Sequence, residues 1–443
     1  MHIDRTEPLW DIVEFHIDEA EFLWTMWERS LDAPNYTLDE VAEGMEARLL
    51  AHIDGLVVNG SKVAERVLHP IIFDTDADPA RISAATLALL NGPGSAGLQF
   101  VFTSLTKPGL QHAAITRALE VCEDTGIKEP LQGMLKSPQL EAVTAAARVM
   151  AFKRIPLGQA LSSLLAHPVP EVQALGLNAI PLEPHPATYS RDILRALASA
   201  NAAVRDAALV AGITLHIPEA WAYCREFALG NRPAMLILAL AGNSRDHERL
   251  LTTLDRKELQ TDALWALGFS GTPIAAEACL AHMDCKNDKK LSRLAGEAFC
   301  AITGLDLETE KLILETDERD SEDTSEPEPS DEHDDLTLNT EDDLPLPDVE
   351  GVQQWWAQRK KHINPNARYL RGAPLELTGL LSALRETTMR RRHALALHLT
   401  LRTQGRHTVI TRALSQQQRL QHKQLEELRS QRIDIASPLF RNR

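Results

Sequence analysis

The stretch "LASANAAVRDAALVAGITL", Leu197 to Leu215, decides the fold. A short polar turn, "SAN", is followed by a helix-forming run in which Val204 is apolar and Ala208, four residues on, is small. On an α-helix these positions share a face, and a small residue there lets a neighbouring helix backbone come close. The same pattern recurs in "ISAATLALL" from Ile82, "LQHAAITRA" from Leu110, "VTAAARVMA" from Val143 and "VQALGLNAI" from Val172. It continues in "MLILALAGN" from Met235, "LQTDALWALG" from Leu259 and "LSRLAGEAF" from Leu291. Successive starts lie 28, 33, 29, 32, 31, 24 and 32 residues apart, so the period is about 30 residues.

Position i+4 of these units is Thr86, Ala114, Ala147, Gly176, Ala208, Ala239, Ala263 and Ala295, a stripe of small residues. Partner helices such as "LGQALSSLLAH", "SRDILRALAS" and "HERLLTTL" lie between them, joined by turns with Pro, Asn and Asp ("PVPE", "NRP", "DRKE"). Each unit is therefore expected to be a helical hairpin that buries its apolar face only against the next one. Apolar residues make up 44% of the chain and aromatics only 5%, so Ala and Leu carry the core, which favours closely packed helices. The fold class is an all-α solenoid of HEAT-like hairpins.

With Val204 and Arg205 opening its second helix, "LASANAAVRDAALVAGITL" resembles a HEAT repeat of the short type found in the phycocyanobilin-lyase-like group, and the likeness covers roughly residues 75 to 305. The flanks "VEFHIDEAEFLW" (13 to 24), "RLLAHIDGLVVNG" (48 to 60) and "WW…NARYLRGAP" (355 to 374) are similar to a proteobacterial family of HEAT-repeat proteins often encoded beside type VI secretion components. That family has no established activity, so the resemblance implies a context and not a mechanism.

Charge divides the chain further. The net charge of −17 resolves into blocks near −14 for residues 1–314, −16 for 315–350 and +13 for 351–443. The acidic block, "ETDERDSEDTSEPEPSDEHDDLTLNTEDDLPLPDVE", has too little apolar content to offset its ordering entropy and reads as a disordered linker. The expected organisation is a helical N-terminal cap (1–74), a repeat solenoid (75–314), the linker (315–350) and a basic helical C-terminal module (351–443). In the cap, Phe15, Phe22, Leu23 and Trp27 are offered for packing, and Leu49, Leu50, Ile53 and Leu56 form one helical face with His52 and Asp54 at its edges. The closing "TRALSQQQRLQHKQLEELRSQR" reads as a solvated helix or a partner-binding tail.

No window reaches the run of about 18 to 20 apolar residues that a membrane helix needs. The N-terminus lacks the basic flank and apolar run of a secretory signal, which gives an expectation of cytoplasmic location. Five scattered cysteines (Cys122, Cys224, Cys279, Cys285 and Cys300) argue against a disulfide framework.

The candidate chemistry is sparse. His247 and Glu248 have the pairing of iron-binding HEAT-repeat hydroxylases, but only one such pair occurs and a metal site needs several; a solvated helix start is the expectation. Cys279, His282 and Cys285 spread over most of a helical turn and lack a fourth zinc ligand. "NGPGSAG" (91 to 97) has neither the Lys-Ser or Lys-Thr nor the preceding strand of a phosphate loop. No catalytic, metal or cofactor-binding residue is assigned.

One surface remains. Trp355, Trp356, Arg359, Lys360, Lys361, Arg368, Tyr369 and Arg371 interleave cations with aromatic rings, and Arg390, Arg391, Arg392, Arg402 and Arg406 follow. Cations neutralise phosphates and rings stack on bases, yet no nucleic-acid reader motif accompanies them. A basic block tethered to an acidic solenoid also has partners at high effective concentration within its own chain. Docking on the solenoid is the leading expectation, a protein-partner surface comes second and nucleic acid third. The leading function is a non-catalytic protein-binding scaffold or adaptor, with a type VI secretion effector or spike component as the partner that the resemblance implies. An immunity protein neutralising a co-encoded toxin, and a lyase-like or metal-dependent HEAT-repeat enzyme, are the alternatives.

Overall fold

The computed structural model describes residues 7–123, 126–284, 288–314 and 340–440. These fall into two compact units. The first comprises the residues up to Asp32, Tyr36–Ala220 and Thr403–Glu426; the second comprises Ala33–Asn35, Trp221–Arg402 and the residues from Glu427 onward. Helices dominate both, and the described strands are limited to a two-residue ladder, Tyr369–Leu370 against Ala373–Pro374, and one bridge between Ile313 and Pro347.

In the first unit the pattern-bearing helices Pro79–Asn91, His112–Val121, Leu140–Phe152, Pro170–Ala179 and Ala202–Thr214 pack each on the next. In the second unit Arg232–Ala241, Gln260–Leu267 and Lys289–Thr303 do the same. All eight stripe positions are buried, which confirms the stacking read from the sequence. At Gly176 a Cβ would stand 3.2 Å from the Cβ of Leu164, so even one methyl would be tight there. Leucine at a fully buried stripe position such as Ala147 would overpack the stack by about 1–3 kcal/mol.

The turn residues start the helices. Asn201 accepts from the amide of Val204 at 3.2 Å, Asn231 from that of Ala234 at 2.8 Å and Asp288 from that of Leu291 at 2.9 Å. Pro170, Pro233 and Pro273 occupy the first turn, where no amide donor is needed. The N-terminal helices Trp10–Ser30 and Ala47–Val57 pack on each other and on the first repeat helix, 79–91, and Leu23, Trp27, Leu49, Ile53 and Leu56 are buried there.

Two boundaries differ from expectation. Residues 315–339 of the acidic stretch lie outside the described residues, but 340–350 are placed. Leu344 is buried, the amide of Leu314 donates to the carbonyl of Leu346, and Pro347 lies against Gly296. The apolar "LPLP" supplies this order, which the surrounding acids mask in a composition count. The basic block is likewise not one body: residues 403–426 belong to the first unit, and the rest of its described residues to the second. Its final helix, Ser415–Leu425, is not a solvated tail. Gln418 is fully buried, donating to the carbonyls of Thr411 and Ala413, and Leu425 at the helix end is also buried.

Candidate functional site

An α-helix leaves its last four carbonyls without an intrahelical donor, and they carry the negative end of its dipole. Each such end must find a donor. In the second unit the C-terminal segment supplies these donors for three successive repeat helices.

Helix 232–241 shows it most completely. Its carbonyl at Leu238 accepts from the amide of Gly242. Ala239 accepts from Arg368 Nη2 at 2.8 Å and from His247 Nε2 at 3.1 Å; Leu240 accepts from Arg368 Nη1 at 3.0 Å and Arg402 Nη2 at 3.2 Å. Ala241 accepts from the amide of Leu439 at 2.9 Å. Past the end of helix 260–267, Gly268 accepts from Arg391, Phe269 and Ser270 from Arg368, and Gly271 from the amide of Tyr369. On helix 289–303, Ala301 and Ile302 accept from the amides of Arg371 and Gly372.

Close backbone approach makes this possible. Gly271 and Gly304 both have positive φ, and a Cβ on either would come within 2.5 Å of the carbonyl oxygen of Tyr369 or Arg371 respectively. Only glycine meets both demands.

Arg368 is the centre of this arrangement. Its guanidinium makes five hydrogen bonds, to Ser270, Leu240, Ala436, Ala239 and Phe269, and all five acceptors are main-chain oxygens. Burial pushes its pKa down to about 9, with Arg402 adding repulsion, and it remains charged at pH 7. The compensating charge comes from the carboxyl ends of two helices. Arg402, lowered to about 10 mainly by burial, donates to Ser437 and Leu240 and so holds the chain end with Arg368. Beyond it Phe440 stacks on Trp221 at 5.0 Å.

Beside these guanidinium groups stand two neutral imidazoles. His247 is lowered to about 4 and His398 well below its ordinary value, in both cases first by burial and then by nearby arginine charge. The expectation of a solvated helix start at His247 is thus corrected: the ring is buried, donating to Ala239, while Glu248 alone is exposed. The end of helix 232–241 and the Arg368 guanidinium meet there, which the local sequence "SRDHERLL" does not reveal.

The structure turns most of the basic-aromatic stretch towards its own chain. Trp356 is buried edge-on to Phe299 at 5.4 Å, and Trp355 donates to Glu310 at 3.2 Å with Arg359 over its ring at 4.3 Å. Arg359 also pairs with Glu310, Lys360 with Glu277, and Arg371 with Glu386 at 2.7 Å. Tyr369 accepts through its hydroxyl from the amide of Asn364 at 2.9 Å. Of the eight residues, Arg359, Lys360, Lys361 and Arg371 are exposed, the first two and the last while paired to acids of their own chain. Downstream, Arg390, Arg391 and Arg392 are buried, with Arg390 and Arg391 over the ring of Trp265 and Arg392 donating to the carbonyl of Leu384. Of Arg390, Arg391, Arg392, Arg402 and Arg406, the exposed one is Arg406.

The first unit uses the same device with the opposite sign. The carboxylate of Glu46 accepts from the amide of Ser415, at the start of helix 415–425, and from Trp27 Nε1 at 3.1 Å. Burial raises its pKa, and these donors oppose the rise. Gln417 donates to the carbonyls of Val121 and Cys122 at the end of helix 112–121.

Cys122, Cys224, Cys279 and Cys300 form no disulfide, and burial pushes Cys279 and Cys300 up to about 12, far from thiolate reactivity. His282 Nδ1 is 2.8 Å from the carbonyl of Ala278, and Cys285 lies outside the described residues. Among the described residues no group of three or more His, Cys, Asp or Glu side chains could hold a metal ion, and no helix is long and apolar enough to cross a membrane.

One surface escaped the sequence reading. Leu23 and Trp27 of the first helix are buried as expected, but Phe15 and Phe22 are 55% and 57% exposed and Ile12 is 49% exposed. The signal was present in their spacing, because residues 12, 15, 19, 22 and 26 form a second seam beside the buried one.

No protein-family model matches the chain, and no curated protein matches it. Among solved structures it is similar to a designed armadillo repeat protein in complex with the peptide (KR)4, at 14% identity over 62% of this chain and 98% of that chain, with a TM-score of 0.18. A likeness at that level carries no argument, and the helical-repeat architecture stands on the packing described above.

Proposed function

We propose that this protein is a non-catalytic scaffold that binds another protein. The observation that carries this reading is the exposed row Ile12, Phe15 and Phe22 on the first helix of a stack whose other large apolar side chains are mostly buried. Contiguous exposed apolar surface on a folded protein marks an interaction site. Support also comes from the groups whose acidity is most perturbed. Such groups often identify catalytic centres, but His247, Arg368, His398 and Arg402 are all bound to main-chain carbonyls. Among the described thiols, Cys279 and Cys300 are held as protonated thiols by burial and offer no thiolate nucleophile at pH 7.

The finer reading is an adaptor for a type VI secretion effector or spike component, and its support is the resemblance of "VEFHIDEAEFLW", "RLLAHIDGLVVNG" and "WW…NARYLRGAP" to a family often encoded beside such systems. The experiment is affinity capture of the tagged protein from its native cells with nuclease treatment, followed by mass spectrometry, alongside a deletion strain. The expected result is a nuclease-resistant effector or spike protein and a healthy deletion strain that fails to export it. Recovery of only nuclease-sensitive material would overturn the scaffold reading. A deletion that poisons cells carrying a neighbouring toxin would favour the immunity role.

A further inference from the structure

We infer that the outer face of helix 10–30 is a docking seam for a basic amphipathic helix of a partner protein, one that carries a lysine or arginine at the centre of its own apolar row. This names the partner class for the scaffold reading and rests on it.

The seam has heptad geometry. Ile12, Phe15, Glu19, Phe22 and Met26 follow one another by three and four residues, the spacing that presents a straight row to a facing helix. Ile12, Phe15 and Phe22 are exposed, and Met26 is half-buried. Helix 47–57 forms one bank. It runs antiparallel to helix 10–30, since Lys62 pairs with Glu7 at 2.8 Å, the ring of His16 fills the space beside Gly55, and Arg48 stands 4.0 Å from Glu19. Phe15 leans on His52 with ring centroids 5.7 Å apart, and His16 and His52 meet at 3.1 Å, so the floor between the helices is filled. By the same register Val58, 83% exposed, comes level with Ile12. A row of exposed apolar side chains thus lies over a solid base.

Charge decides the occupant. Asp11, Glu14 and Asp54 are exposed along the rim, Asp18 is already paired with Arg81 at 2.7 Å, and Glu19 interrupts the apolar row itself with a long pairing to Arg48 at 4.0 Å. A second copy of this chain fits poorly. The seam is centred on Glu19, so parallel in-register and centred antiparallel pairings both set Glu19 against Glu19 with acidic rims facing. An anionic membrane meets the same repulsion, because surface-seeking helices carry Lys and Arg on their rims. A helix with basic flanks and a basic residue opposite Glu19 answers Glu19 and the rim acids Asp11, Glu14 and Asp54. A single polar residue in a seam of this kind fixes register and partner choice.

The test uses full-length protein and fluorescein-labelled helical peptides of about three heptads, with leucine in the seam and lysine on the flanks. Three versions carry lysine, leucine or glutamate at the seam centre, and a fourth has glutamate flanks. The lysine-centred peptide is expected to bind most tightly. Phe15→Ser with Phe22→Ser should weaken it by about tenfold or more, because exposed aromatic anchors dominate such contacts, while Leu420→Ser on helix 415–425 should leave it unchanged. Glu19→Leu should reverse the preference towards the leucine-centred peptide, an effect that loss of folding cannot produce. Equal binding by the serine variant, equal binding of the glutamate-flanked peptide, or no binding of the lysine-centred peptide would overturn the inference. So would a dimer in sedimentation, or binding to phosphatidylglycerol vesicles, that the serine substitutions abolish. If the serine variant still captures the client in the affinity experiment, this surface is wrong and the scaffold reading survives.

Discussion

The segment from Trp355 to Arg371 and the row from Ile12 to Phe22 both set aromatic rings among charges, and they face opposite ways. The first is strongly basic and attracts a nucleic-acid or partner reading, yet its rings pack on Phe299 and its most buried cation, Arg368, closes the ends of two helices. The second lies in an acidic helix that reads as core, yet its rings look outward. Composition tells what a segment can contact. Which contact is made depends on where the rest of the chain leaves unsatisfied groups, and here the stacked hairpins leave carbonyls that arginines answer.

The largest effect is expected at Arg368. Replacement by methionine keeps the volume and takes a donor from five carbonyls, of which Ala239 and Leu240 keep His247 and Arg402, and this should cost on the order of 3 kcal/mol in urea unfolding of the second unit. Replacement by lysine should cost nearly as much, because a compact ammonium cannot span donors in this fork. A loss below about 1 kcal/mol would place the arginine among ordinary surface cations.

The buried imidazoles sharpen the same contrast through pH. The unfolded chain takes up protons on His247 and His398 near pH 6.5, whereas the folded protein does not protonate His247 until about pH 4. Stability is therefore fully present above pH 6.5 and is lost as pH falls towards 4, by on the order of 3 kcal/mol from His247. His247→Gln, which keeps an N–H for Ala239, should make that decline shallower in thermal melts. An unchanged slope would mean that the ring is open to water.

The smallest effect belongs to the outward row. Phe15→Ser with Phe22→Ser should shift stability by no more than about 0.5 kcal/mol per site, as expected for exposed positions. A much larger loss would show that the two rings are core and would remove the basis of the docking seam.

The repeat stack was legible because periodicity is local. Thr86, Ala114, Ala147, Gly176, Ala208, Ala239, Ala263 and Ala295 were read from spacing alone, and all eight are buried. The turns between helices were read for the same reason, and the structure adds that Asn201, Asn231 and Asp288 cap the helices that follow, each within three residues of its own position. The role of Arg368 was not, because four of its acceptors lie 98 to 129 residues upstream and the fifth 68 residues downstream, and all are backbone atoms, which no side-chain pattern records. The order of residues 340–350 was hidden by charge density, although Leu344, Leu346 and Pro347 were in view. For the first helix the periodicity was read only far enough to find one apolar face. The second, through Ile12, Phe15, Glu19, Phe22 and Met26, needed the burial of the first to become distinct.

The most direct test of the inward role of the basic segment is to insert a protease site between residues 320 and 335, cleave the full-length protein and run it on a sizing column in 1 M salt. The screening length then falls to about 3 Å, so attachment through surface charge is lost while buried hydrogen bonds and apolar packing persist. The account predicts that the two fragments co-elute at the position of the intact protein. Separation of the fragments under these conditions would contradict it.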